Sequence, residues 1–114
     1  NTMPALSIDI HKRVPRLSRG SGGLSGPALR PIAVKMVYDV AQVVSIPIIG
    51  IGGVGTGSDV VEFLLAGAHA VQVGTASFRE PNAAGLTRDG LAEYLEGGEE
   101  SAVSEIIGAL NMPS

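Results

Sequence analysis

The chain has no cysteine and no tryptophan, and only two tyrosines and two phenylalanines among 114 residues. Without cysteine, disulfides, thiolate metal sites and a cysteine nucleophile are all excluded within these residues. Few aromatics beside sixteen glycines imply many tight turns between short elements. Charge is also scarce: charged residues make up 17% and the net charge is −3. A broad basic face for nucleic acid is therefore excluded, although a local anion site built of backbone N–H groups leaves no trace in that count. There is neither a signal peptide nor an apolar run long enough to span a bilayer, so a cytoplasmic protein is expected. Hydrophobic residues at 45% suit one globular α/β domain and do not suit disorder. Asn1 is not an initiator methionine, and the chain is expected to begin inside a longer polypeptide.

What the sequence does have is glycine at the ends of apolar runs. Pro47-Ile48-Ile49-Gly50-Ile51-Gly52-Gly53-Val54 reads as a strand covered on both faces, running straight into a glycine turn. Such glycines allow positive φ and let a ligand reach main-chain N–H groups. Thr56-Gly57-Ser58-Asp59 is a capping signal, so the turn opens a helix over 59–66, whose dipole and free N–H groups favour a phosphate. Gly67 ends that helix. A short strand follows at 70–73 and ends in Gly74-Thr75-Ala76-Ser77.

Upstream, Leu6, Ile8 and Ile10 alternate with polar residues, and 14–17 can return across Lys12-Arg13 as a half-exposed hairpin. Lys12, Arg13, Arg16 and Arg19 are best read as its solvated face. Residues 20–26 are too glycine-rich for a regular element and read as a loop. Pro27 and Pro31 suit a first helical turn, and Ala33, Met36, Val37, Val40, Ala41 and Val44 recur at helical spacing behind them. Two further helices are expected over 87–95 and 102–110. Strands alternating with helices mean βαβ units and a parallel sheet. Only two full parallel strands are present, with the tail of a third at Asn1, so the fragment belongs to a larger barrel or must find a partner to cover itself.

Three glycine turns, at 23–26, 50–53 and 74–75, each stand at a helix start. In a (β/α)8 barrel the last two strands and a short extra helix form a phosphate site, and a set of such turns points to a phosphorylated ligand. The ordered motifs Asn1-Thr2, 22–31 (GGLSGPALRP), 48–54 (IIGIGGV) and 73–76 (VGTA) resemble the C-terminal part of dihydroorotate dehydrogenase, in its NAD-linked class. The resemblance runs to 104–110 (SEIIGAL). It implies residues 1–114 as a single partial domain, about half of a (β/α)8 TIM barrel with a β-hairpin insertion near the N-terminus.

The resemblance further implies that Gly26, Gly52, Gly53, Gly74 and Thr75 hold FMN, chiefly its phosphate, and that Asn1 and Thr2 hydrogen-bond dihydroorotate or orotate. The family's general base, a cysteine, has no counterpart here, so no catalytic residue is assigned. Implied partners are the rest of the barrel upstream of Asn1, a second copy in a homodimer, and an iron–sulfur flavoprotein electron-transfer subunit; the implied reaction serves de novo pyrimidine synthesis. No metal, nucleic acid or membrane is expected.

His11 and His69 lack acidic or cysteine partners at ligand spacing and read as structural. The late carboxylates Glu93, Glu96, Glu99, Glu100 and Glu105 read as solvated faces. Ser25 suits a loop hydrogen bond, and Met3 and Pro4 either border the pocket or simply pack. Two rivals stand beside this reading. A dihydropyrimidine dehydrogenase-like FMN barrel shares the glycine loop, but the Gly74-Thr75 pair and the end of the chain soon after Leu110 speak against it. A non-catalytic FMN or phosphate-binding half-barrel that dimerises is the other, with a structural piece whose glycine turns stay empty as the plain alternative to them all.

Overall fold

The computed structural model describes residues 1–113. Two short antiparallel ladders come first. β1 (Met3–Ala5) leads to β2 (Ile8–Asp9), where the alternating pattern breaks because Asp9 folds back on itself. Its carboxylate accepts the N–H groups of His11 and Lys12, both at 3.0 Å, and Arg13 completes the turn at a φ of 55°. β3 (Val14–Pro15) then pairs antiparallel with β2.

The glycine run contradicts its reading as a loop. Gly22–Leu24 forms β4, antiparallel to β1, with Met3 opposite Leu24 and Ala5 opposite Gly22. Close packing overrides the poor strand propensity: a Cβ on Gly23 would stand 2.3 Å from the Thr2 hydroxyl, so only glycine lets the two segments meet. The chain start differs as well. Asn1 donates its backbone N to the Ile51 carbonyl at 3.2 Å, beside the parallel pair, but the strand that follows belongs to the antiparallel ladder.

A single 3₁₀ turn, Pro27–Leu29, runs into α1 (Arg30–Ala41), with Pro31 in the first turn as expected. Of its apolar positions Ala33 and Val37 are buried, whereas Met36 and Val40 are exposed, because no element among the described residues lies on that side; Val44, expected on the same face, falls beyond the helix end and is exposed. β5 (Ile49–Ile51) and β6 (Ala70–Gln72) pair in parallel, joined by α2 (Gly57–Leu65). The strand over 47–54 is covered on one face only. Gly50 faces Phe63 of α2, where a Cβ would come within 2.5 Å of the ring. Ile49 and Ile51 point the other way and are 58% and 38% exposed, since nothing among the described residues packs on that side.

α2 is the centre of the molecule. Phe63 and Leu64 sit in a core with Ala33, Val37, Val54, Ala68 and Ile106. Gly67, at a φ of 114°, ends the helix and clears Ala41 of α1. α3 (Ala76–Arg79) is one turn, and α4 (Ala83–Gly97) is longer than the expected 87–95. α4 crosses α2 where Gly57 meets Gly90: a Cβ on Gly57 would lie 2.3 Å from the Gly90 carbonyl carbon. α5 (Val103–Ile106) stops well short of 110. Gly108 turns at a φ of 71°, and the N–H groups of Gly108 and Leu110 bind the carbonyls of Leu64 and Leu65 at the end of α2. This docking on the end of α2, where the Leu64 carbonyl also accepts the Gly67 N–H at 2.9 Å, replaces further helix. Among the described residues no helix is long and apolar enough to cross a membrane.

Candidate functional site

The ends of β5 and β6, the turn before α1 and the first two residues of the chain converge on one cavity of about 630 Å³. That size lies within the range typical of small-ligand sites. Gly26, Gly52, Gly53, Gly74, Thr75, Asn1 and Thr2 all line it. Four segments well separated in sequence are thus brought together at the carboxyl end of the parallel pair, where ligands of α/β sheets bind.

The glycines there have different reasons to be glycine. Gly26, Gly52 and Gly53 hold φ values of 91°, 135° and 71°, which L side chains seldom adopt. Gly53 is also pressed against its neighbours: a Cβ would be 2.7 Å from the Gly26 carbonyl oxygen and 2.9 Å from the Arg30 backbone N. Gly74 has no positive φ and nothing within 4 Å of a Cβ position. The fold itself does not require glycine at 74; a ligand lying against the backbone would. Among the described residues no hydrogen bond uses the N–H of Gly26, Gly53, Gly74 or Thr75. These unpaired donors at the mouth of one cavity suit an anion.

The start of α2 behaves otherwise than expected. Thr56 caps the helix, its hydroxyl accepting the Asp59 N–H at 3.2 Å, and Asp59 Oδ2 accepts the N–H groups of Gly55 and Thr56 at 2.9 Å each. The capping box is present, but it consumes those N–H groups and leaves them unavailable to a phosphate. Among the described residues the N–H groups of Gly57 and Ser58 stay unpaired in the first turn, but neither residue lines the cavity, so the free donors that do line it belong to the glycine turns.

Several wall residues were not among the sequence candidates. Asp59, 7% exposed, meets Arg30 Nη1 through Oδ1 at 2.8 Å. Arg30 Nε is buried and lies 3.6 Å from Glu62 Oε1, beyond hydrogen-bond length but within ionic reach. One signal for Arg30 was present: a cation in the first turn of a helix opposes the dipole and calls for a carboxylate partner. Arg79, Glu80, Ala83 and Leu86 complete the α3 and α4 side of the cavity, and their part followed from no motif.

The remaining sequence candidates differ in outcome. Ser25 lines it but makes no hydrogen bond among the described residues, contrary to the expected loop bond. Met3 and Pro4 lie in β1, outside the lining. His69 accepts the Ile48 N–H through Nδ1 at 3.2 Å and donates its own backbone N–H to the Ile48 carbonyl at 2.7 Å, pinning the start of the parallel pair. Lys12, Arg13, Arg16 and Arg19 are exposed on the hairpin and do not reach the cavity.

The chain is similar to known proteins over most of its length. A family model described as dihydroorotate dehydrogenase matches residues 1–95. The chain is 53% identical over 110 residues to the dihydroorotate dehydrogenase B (NAD(+)) catalytic subunit of Geotalea uraniireducens, covering 96% of this chain and 36% of that protein. The corresponding subunit of Geobacter sulfurreducens is 53% identical over 112 residues, covering 98% and 37%. Among solved structures, ligand-free DHODH from Eimeria tenella superposes with a TM-score of 0.77 at 30% identity, covering 96% of this chain and 31% of that one. The same enzyme in complex with ferulenol gives 0.76 at 31% identity, over 96% and 29%. The chain therefore spans little more than a third of the length of the curated relatives it matches. These neighbours and the mixed α/β content fit part of a TIM barrel.

Proposed function

The chain belongs to the dihydroorotate dehydrogenase family, and from that premise we propose that it forms the phosphate-anchoring wall of an FMN site together with one edge of the orotate site. The whole protein of which it is a part would oxidise dihydroorotate to orotate in pyrimidine synthesis. One observation carries the reading: residues 1–2, 26, 52–53 and 74–75 share one cavity, with unpaired backbone donors at Gly26, Gly53, Gly74 and Thr75.

In this reading the donors of the three glycine turns grip the phosphate, and the open space over Gly74 lets the ligand lie against the backbone. Thr2, seated on Gly23 by the β1–β4 ladder, offers a hydroxyl that both donates and accepts to a planar imide ring. Asn1 offers its side-chain NH₂; its Oδ1 already accepts the Thr2 N–H at 2.8 Å. FMN, when bound, supplies the hydride acceptor, and the protein positions and polarises. The chain contains no cysteine to serve as the base, so proton removal falls to a residue outside this sequence. The name of the relatives, a catalytic subunit of an NAD(+)-linked enzyme, supports a separate electron-transfer partner, which we take to be an iron–sulfur flavoprotein beside a second copy of the catalytic subunit.

Titration of the chain with FMN and with riboflavin, followed by flavin fluorescence, tests the assignment. FMN is expected to bind at least tenfold more tightly than riboflavin, because the cradle acts on the phosphate. Equal affinities, or no FMN binding, would overturn it. Dihydroorotate added to the FMN-loaded chain is expected to give no turnover.

A further inference from the structure

The phosphate reading leaves an electrostatic difficulty at the wall of the cavity. Asp59 lines the same space as the glycine turns and carries a carboxylate there, only 10% exposed at its side chain. A buried negative charge opposes entry of a dianionic phosphate, and little water is present to screen it. Yet that carboxylate is structurally engaged, since Oδ2 holds the N–H groups of Gly55 and Thr56 and so fixes the turn that follows Gly53. The other oxygen, Oδ1, meets Arg30 at 2.8 Å.

Resting on the phosphate reading above, we propose that Arg30 is the positioning residue that makes this cavity hospitable to an anion, by cancelling the charge of Asp59 while Asp59 holds the turn. The cation is placed for both tasks. It stands in the first turn of α1, immediately behind the Gly26 loop, and its backbone touches Gly53. Its guanidinium reaches across to α2, within 2.8 Å of Asp59 and 3.6 Å of Glu62. Glu62 is half exposed and outside the lining, and Glu80, the other carboxylate of the lining, is exposed, so water screens both; Asp59 is neither, and Asp59 is the carboxylate whose neutralisation decides what enters. Arg79, the other cation of the lining, makes no ion pair among the described residues and stands on the α3 side.

Charge cancellation and simple wall-building predict different outcomes. In Arg30→Gln the Asp59 carboxylate faces the cavity unopposed, and FMN affinity is expected to fall about tenfold or more while riboflavin affinity stays within about twofold. Arg30→Lys retains the charge and is expected to stay within about threefold of the wild type. Asp59→Asn keeps one oxygen for the Gly55 and Thr56 N–H groups and turns an amide NH₂ toward Arg30, releasing the guanidinium toward the anion; FMN should bind a few-fold more tightly. The double variant R30Q/D59N should recover most of the loss of R30Q. Far-UV circular dichroism and a melting curve for each variant check that the fold is kept. Equal loss of FMN and riboflavin in R30Q, or a double variant as weak as R30Q, overturns the inference and leaves the phosphate reading standing. Failure of the wild type to bind FMN overturns both.

Discussion

Single glycines in this chain fall into two kinds, and only one of them is explained by the protein's own atoms. Gly53 combines a φ of 71° with contacts on Gly26 and Arg30 that leave no room for a methyl group. Gly53→Ala is therefore expected to cost about 2–4 kcal/mol by urea or thermal unfolding, from backbone strain and overpacking together. At Gly74 neither cause applies. Gly74→Ala should change stability by less than about 0.5 kcal/mol, yet weaken FMN while sparing riboflavin. A Gly74→Ala variant that unfolds as easily as Gly53→Ala would make position 74 a structural glycine. The glycines were legible in the sequence as a set because turn chemistry is local. Their division into packed and open positions was not, since it depends on atoms far away along the chain, as with Gly26 and Arg30 against Gly53. The same holds for Arg30 and Asp59, each visible as part of a local motif but joined only by folding.

Elements repeat the lesson with larger pieces. The capping box of α2, its glycine stop, the parallel pair at 49–51 and 70–72 and the proline-led start of α1 all follow from short-range signals. Where the sequence reading failed, a distant contact intervened. β4 exists because Gly23 admits Thr2, and α5 is short because its tail docks on the end of α2. The α2–α4 crossing is the most demanding of these contacts, with Gly57 and Gly90 back to back. Gly57→Ala is expected to push the helices apart and cost about 2–4 kcal/mol. Gly97→Ala, with nothing within 4 Å of its Cβ position, should be neutral or stabilising by up to about 0.5 kcal/mol. Equilibrium unfolding of the pair checks the difference. Equal effects would show that the crossing is loose.

At the scale of the molecule the chain is extended for its length. The radius of gyration is 16.6 Å, with extents of 56 × 33 × 25 Å, against about 13 Å for a compact domain of this size. Accessible surface is 7868 Å², where a folded monomer of this mass would show roughly 5,800 Å². The excess is concentrated on apolar ground: Ile49 and Ile51 on the bare sheet face, Met36 and Val40 on α1, and Phe78 beyond the cavity, 91% exposed. Patches of this kind mark surfaces meant to be covered. The chain by itself is expected to bind a hydrophobic dye such as ANS and to show a mass in size-exclusion chromatography that rises with concentration. A dye-silent species holding at 11.6 kDa would contradict that expectation.

The contact between Gly53 and the Gly26 carbonyl reaches further than the stability of one residue. These two turns precede different helices, α1 and α2, and the space between them is too narrow for a methyl group. Neither can move toward the other without a clash, so a displacement that begins at one helix presses on the turn that precedes the other.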